Sequence, residues 1–352
     1  MTGKHAGAGR PTAAEPLGPT GPDDPGPDPR ALDDVRPEVP LRDMAPLRRV
    51  QTVARWGLRQ IGTRRGRRVV LRRVAFGMAR SLTSVVAVDV AGEKYLVSTH
   101  DRAIGAITFS EGGLDLDLMT AALELVEART GRALRGRTFV DIGANIGTAT
   151  VPALVRFGAA GGVAIEPASN NLKLLRCNLI ANELADRVVV VEAALSDSLG
   201  TAFLELGESN WGDHRVRAST SSGPARYGED GRAVDEVRLV TFDSLVEDGT
   251  VDVTSIGVVW VDTQGHEAQV LAGAEALLAS DVPVVIEYWP YGLRRADGLE
   301  QLHALIASRY RTVVDLRASA AKGRPVEFPA SEIERLAPIY VGTSYTDLLL
   351  VS

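Results

Sequence analysis

Apolar positions along the chain follow two periods. Leu47, Val50, Ala54, Leu58 and Ile61 recur at helical spacing, as do Leu71, Val74, Ala75, Met78 and Leu82. Residues 44–82 therefore predict two helices, each with one apolar stripe, and a turn near 62–66. At Ser84 the period drops to two. Val86, Val88 and Val90 alternate up to Gly92, and Tyr95 and Val97 follow, a hairpin pattern. A helix is expected near 115–129, with Leu118, Ala122, Leu125 and Val126 on its inner face. From Thr138 short apolar runs alternate with amphipathic ones. Strands are expected at 139–142, 163–165, 188–191, 256–261, 282–288, 312–316 and 347–351, with helices near 146–157, 168–181, 265–279 and 297–308. This alternation marks an α/β fold with a mainly parallel, doubly wound sheet. The uninterrupted apolar run at 256–261 belongs at its centre. Only Pro- and polar-rich residues join the last two strands, which predicts a terminal antiparallel pair. Residues 207–236 lack periodicity and read as a lid or substrate loop.

Composition changes the picture mainly at the N-terminus. Residues 1–40 hold nine of the 18 prolines and few large apolar side chains, so they read as a disordered Pro/Gly-rich tail. Residues 41–82 carry twelve Arg and one acid, a net +11 in a chain whose total is −6. This Arg-rich helical segment is either a weak contact for a membrane surface or acidic partner, or a helical cap with a solvated Arg face. A hairpin and helix cap over 83–130 and the α/β domain over 131–352 complete the expected organisation. The acidic body argues against a nucleic-acid partner. No apolar run reaches the ~20 residues of a membrane span, and no basic-then-apolar leader opens the sequence. The single cysteine, Cys177, excludes an internal disulfide and is expected to be buried, so a cytoplasmic setting is expected. Five scattered histidines offer no HxxxH pair, and no metal site is expected.

The run Phe139-Val-Asp-Ile-Gly-Ala-Asn-Ile-Gly147 carries the chemistry. An apolar strand enters a Gly-rich turn and a helix. Gly143 would allow close approach of a ligand to the backbone, and Gly147 tight helix–strand packing. Asp141 can accept a hydrogen bond from a bound ammonium group. The GxxxG spacing departs from the GxGxxG of dinucleotide sites. Glu166, 25 residues after Asp141, ends the next strand, where an acid can accept from both hydroxyls of a ribose. Asp197 follows the third, where an acid can meet an adenine amino group.

Residues 138–289 resemble the FkbM family of S-adenosylmethionine-dependent methyltransferases. The resemblance lies in Val-Asp-Ile-Gly-Ala-Asn-Ile-Gly at 140–147, Ile-Glu-Pro at 165–167 with Asn178 and Asn182, Glu-Ala-Ala-Leu-Ser-Asp at 192–197, Thr-Phe-Asp-Ser-Leu at 241–245, and Val-Asp-Thr-Gln-Gly-His-Glu at 261–267. A seven-stranded sheet with an antiparallel end is also the class I methyltransferase layout. The resemblance implies S-adenosylmethionine as cofactor. The turn from Asp141 through Gly143 and Asn145 to Gly147 would contact its methionine part, Glu166 its ribose, with Asp197 near its adenine. Two departures bear on substrate. Trp260 stands where the family commonly has Lys, and Thr-Gln-Gly at 263–265 replaces Val-Glu-Gly. Asn210-Trp-Gly-Asp-His-Arg215 resembles a run found in part of the family.

Methyl transfer to a hydroxyl needs the acceptor held in line and its proton taken up. Asp262, ending the fourth strand, is a candidate for positioning the acceptor. His266 in the next helix is a candidate base, with a helix-start or packing role as the alternative. His214 could swing in with the loop or be a solvated loop residue. Glu287, with Tyr288, Trp289 and Tyr291, could wall the acceptor pocket or belong to core and rim. The expected partner is a small-molecule hydroxyl acceptor such as a polyketide or sugar. A non-catalytic protein keeping the fold, and a nicotinamide oxidoreductase disfavoured by the GxxxG spacing, are the rival readings.

Overall fold

The computed structural model describes residues 64–113, 115–217 and 229–352. The 1–40 tail, the first Arg-rich helix and the middle of the 207–236 loop lie outside the described residues. Helix α1 (Arg64–Ala79) leads into the hairpin of β1 (Val85–Val90) and β2 (Glu93–Ser98), then α2 (Ile104–Glu111) and α3 (Leu116–Thr130). The α/β body begins with β3 (Thr138–Ile142), α4 (Thr150–Val155), β4 (Gly161–Ile165), α5 (Ser169–Ala181) and β5 (Val188–Val191). It is interrupted by β6 (Ala194–Leu195), β7 (Gly200–Glu205), β8 (Arg215–Val216) and β9 (Val234–Val240). It resumes with α6 (Phe242–Glu247), β10 (Ile256–Val261), α7 (Glu267–Ala272), α8 (Glu275–Leu278), β11 (Val284–Tyr288), α9 (Pro290–Arg295) and α10 (Leu299–Arg309). The last elements are β12 (Thr312–Asp315), α11 (Leu316–Lys322), β13 (Glu327–Pro329) and β14 (Thr346–Val351).

The main sheet runs β13-β12-β14-β11-β10-β3-β4-β5. Seven of these strands take the class I methyltransferase order, and short β13 adds an eighth at the edge. β14 inserts antiparallel between β11 and β12, while β11, β10, β3, β4 and β5 pair in parallel. All six residues of β10 are buried because helices cover both faces. Val259 and Val261 enter one apolar layer, Val258 and Trp260 the other. Each such buried side chain contributes roughly 1.5–3 kcal/mol.

Several elements differ from expectation for identifiable reasons. The 146–157 helix starts only at Thr150, because Gly147 turns left-handed at φ +89°. The 265–279 helix splits at Gly273, where a Cβ would fall 2.1 Å from the Ser196 carbonyl oxygen. Gly66 lies inside α1 rather than in a turn. The stripe of α1 and the turn after it points outward: Leu71, Val74, Met78 and Leu82 are exposed, and Phe76 on the other face is buried. Phe76 packs on Phe109 with ring centroids 5.4 Å apart, and Arg73 pairs with Glu111, so α2 fixes this orientation. Cys177 is exposed on α5. The 207–236 loop is partly ordered into β8 and β9 of a four-stranded sheet, β6-β9-β7-β8.

The hairpin is fastened by two side chains at the C-terminal end of α5, one in its last turn and one at its C-cap. Asn178 Oδ1 accepts from the Leu96 N–H at 2.6 Å, and its amide donates to the Ile146 carbonyl at 2.8 Å. Asn182 brackets Lys94, accepting at 2.9 Å and donating at 2.7 Å. One helix face thus supplies the hydrogen bonds that a neighbouring strand would give.

Candidate active site

The carboxyl ends of β3, β4 and β10 form one rim, where parallel α/β sheets bind ligands. Gly143 brings the first and third together. Its φ is +91°, and a Cβ there would fall 1.9 Å from the Asp262 carbonyl oxygen. Backbone, rather than a ligand, is what approaches this glycine. Asn145 and Gln264, in the turns after β3 and β10, are also left-handed, at φ 53° and 57°. Glu267 holds the second turn: its carboxylate accepts from the N–H groups of Thr263 at 2.9 Å and Gly265 at 3.0 Å.

Two cavities open from this rim and share Gly143, Asn145, Gly212, Asp262 and Gln264. The narrow one, about 50 Å³, is walled by Ile142, Ile165, Leu195 and Leu204 and also bordered by Glu166, His214 and His266. Glu166 is 3% exposed and accepts from the backbone N–H of Asn145 at 2.8 Å and of Ala168 at 2.8 Å. Burial pushes its carboxyl up to about 7. Burial also lowers His214 and His266 to about 4, so both are neutral at pH 7. His214 Nδ1 accepts from the Gly207 N–H at 2.9 Å, which leaves the proton on Nε2 and no open lone pair. His266 Nε2 lies 3.0 Å from Ser196 Oγ. The loop carrying His214 is pinned at its tip, where the Trp211 carbonyl accepts from Asn145 at 3.1 Å and Asn171 at 3.1 Å.

The wide cavity, about 350 Å³, is bordered by Asp141, Asp262, Glu287, Trp260, Trp289, Arg215 and Arg317, among others. Gln264 Nε2 donates to Asp262 Oδ1 at 2.7 Å and to Glu287 Oε2 at 2.9 Å, tying two carboxylates together through one amide. Burial pushes Asp262 up to about 6. Glu287 rises well above the carboxylate range through burial, then through Asp262, Glu267 and Asp347. Asp141 receives a hydrogen bond from Thr150 Oγ1, and burial pushes it up to about 7. Arg317 pairs with Asp115 at 2.6 Å and Asp347 at 2.6 Å. Its partners come from distant segments, and no motif marks any of the three.

A family profile described as the methyltransferase FkbM domain matches residues 141–304. Residues 141–304 are an FkbM methyltransferase domain. A comparison with curated proteins returns no match. Among solved structures, the FkbM methyltransferase of Methylobacillus flagellatus KT is 16% identical over 61% of this chain, with a TM-score of 0.36; the match covers 43% of that protein. TYW2 of M. jannaschii, solved in complex with AdoMet, is 11% identical over 76% of this chain and 85% of its own, at TM-score 0.38. At these scores the fold assignment rests on the strand order above.

The FkbM domain is that of an S-adenosylmethionine-dependent methyltransferase, and the residues present fit the cofactor. A buried acid with backbone N–H partners sits beside an apolar slot, as a nucleoside requires, and the buried carboxylate of Asp141 borders the adjoining wide cavity. The geometry bears on three sequence assignments. Asp197 is exposed and borders neither cavity, because its chain turns outward after Ser196. Gly147 lies against Leu175, in keeping with a packing role, and borders neither cavity, so the methionine contact implied by the resemblance is not placed there. His214 and His266 border the narrow cavity and not the wide one, away from Glu287. Gln264 was legible only as a departure from the family run, yet it joins Asp262 to Glu287.

Proposed function

We propose that the FkbM domain transfers a methyl group to a hydroxyl of a small molecule held in the wide cavity. The observation that carries this reading is Asp262. It borders both cavities, and no described residue donates to its second carboxylate oxygen. In this reading Glu166 accepts from the ribose hydroxyls, Asp141 faces the ammonium of the methionine part, and Asn145 shapes the turn between them. His266 and His214 wall the adenosine side. Bound S-adenosylmethionine supplies an electrophilic methyl carbon on a sulfonium. Asp262 orients the acceptor hydroxyl and would take up its proton as the oxygen displaces the sulfonium sulfur, which leaves with the pair of the broken S–CH3 bond as a neutral thioether; a carboxyl raised to about 6 suits that role. Glu287, with Trp260 and Trp289, walls the acceptor.

The test is a screen of hydroxylated sugars and polyketides with methyl-labelled S-adenosylmethionine, read by mass spectrometry. O-methyl product that disappears in Asp262→Asn supports the reading. Methyl found only on nitrogen or carbon sinks it. Tight cofactor binding with no product from any acceptor favours a non-catalytic binding protein.

A second reading concerns α1. Leu71, Val74 and Met78 form an exposed apolar stripe on a helix bearing six arginines, and exposed Leu82 follows in the next turn. No helix among the described residues is long and apolar enough to cross a membrane. We infer a surface contact with anionic lipid. Sedimentation with phosphatidylglycerol vesicles tests it, and binding unchanged in Leu71→Glu/Met78→Glu would overturn it.

A further inference from the structure

Carboxylates outnumber cations around the wide cavity. Asp115, Asp141, Asp213, Asp262, Glu287 and Asp347 border it, against the guanidiniums of Arg215 and Arg317. Both guanidiniums are committed. Arg317 is held between Asp115 and Asp347 and lies 4.5 Å over the Tyr345 ring. Arg215 pairs with Asp213 and Glu229 and lies 4.5 Å over Trp289.

Asp262 and Glu287 have no cation within ion-pair distance among the described residues. Their link is the neutral amide of Gln264, which donates to one oxygen of each. No described residue donates to the other oxygen of either. Glu287 is only 6% exposed, so that oxygen faces the cavity and not bulk water. Two buried carboxylates sharing one uncharged donor are costly to keep ionised unless a positive charge joins them. The indole of Trp260 borders the same space, and aromatic faces attract cations.

The two acids are not equivalent. Asp262 borders both cavities, whereas Glu287 borders only the wide one. They follow the register pair Val261–Ile286 on adjacent strands, which lie about 4.8 Å apart. A group on Glu287 would therefore sit one strand spacing from a hydroxyl on Asp262.

We propose that the acceptor carries an ammonium group close to the hydroxyl that is methylated, as in an amino sugar or aminocyclitol, and that Glu287 binds it. This rests on the hydroxyl-acceptor reading above.

The test uses the full chain with matched probes, glucosamine against glucose and 2-deoxystreptamine against myo-inositol. Binding is followed by calorimetry with S-adenosylhomocysteine present. The same four compounds are incubated with methyl-labelled S-adenosylmethionine, and the product is mapped by mass spectrometry. At least one amino member is expected to bind tenfold more tightly than its neutral counterpart, with a preference that weakens in high salt. In Glu287→Gln the preference should fall below threefold while S-adenosylmethionine affinity stays within threefold. The wild-type comparison needs no variant and stands if Glu287→Gln fails to fold. Neutral members binding as well as amino ones, or no amino member binding, overturns the proposal. So does a Glu287→Gln variant that keeps the preference and loses cofactor affinity, which would assign the carboxylate to the cofactor. O-methyl product from the neutral sugars alone overturns the proposal and keeps the hydroxyl reading. Methyl on the amine nitrogen keeps ammonium recognition and removes the hydroxyl reading.

Discussion

The narrow and wide cavities meet at the same strand ends but are completed differently. In the narrow cavity the acid and the loop histidine have backbone partners within the chain, although Asn171 Oδ1 there has no partner among the described residues. Glu166 accepts from two backbone N–H groups, and His214 accepts from a third. In the wide cavity Asp262 and Glu287 share one amide and keep an oxygen each for whatever enters. A site finished by its own backbone can be rigid and selective for one fixed ligand. A site with unmatched charge takes its specificity from what the ligand brings.

The two cavities are coupled through Gly143, and substitution there should have the largest effect. Gly143→Ala places a methyl 1.9 Å from the Asp262 carbonyl oxygen at a residue with φ +91°. Overpacking costs roughly 1–3 kcal/mol and the left-handed backbone adds more. We expect a fall in melting temperature and complete loss of S-adenosylmethionine binding by calorimetry. Wild-type affinity in this variant would show that the β3–β10 approach does not shape the cofactor site.

Two substitutions should then separate the cavities. Asp262→Asn is expected to lower kcat by about 10²–10⁴ while the cofactor Kd stays within threefold. Glu166→Gln should do the reverse, weakening the cofactor by roughly 1.5–3 kcal/mol, with a smaller effect on kcat at saturating cofactor. Equal loss of both properties in either variant would merge the two sites into one.

The difference also explains what could be read from residue order. The strand-end turns carrying Asp141, Glu166 and Asp262 are local, so spacing and apolar runs located them, and the β10 strand fell where its uninterrupted apolar run required. The wide cavity depends on partners far apart in sequence. Arg317 meets Asp115 across 202 residues, and neither lies in a recognisable run. Asp197 misled for the converse reason: its place after β5 suggests a ligand-facing acid, but the chain turns outward towards β7. The α1 stripe left two readings open because periodicity gives faces without saying which one is covered. Phe76 and the arginines beside it settled that by docking on α2.

A pH series sharpens the comparison further. Asp262 must be ionised to take up a proton, so kcat should fall as pH drops through about 6. Burial is the main cause and the charges of Glu267 and Asp115 add to it, while the Gln264 hydrogen bond and the Arg317 charge oppose it. Cofactor affinity should weaken at a higher pH, below about 7, as Asp141 and Glu166 gain protons and lose acceptor strength. Separate acid limbs in kcat and in Kd are expected. Coincident limbs would place one shared group in control.

The smallest effect is expected at His214. His214→Ala removes the acceptor of the Gly207 N–H and should cost about 1–2 kcal/mol of stability, with kcat and its pH limb unchanged. The sign of the linkage can be checked independently. His214 titrates near 6.5 when unfolded and near 4 when folded, so between those values the unfolded chain binds more protons. Its contribution is fully present above pH 6.5 and is lost as pH falls towards 4. The acid-side loss of stability measured by denaturant titration should therefore be shallower in His214→Ala than in the wild type. His266, also neutral and held near Ser196, contributes in the same direction, so part of the slope should persist in the single variant. A kcat limb that moved with His214→Ala would return the proton-accepting role to this histidine, and with it the idea of a loop that swings into the wide cavity.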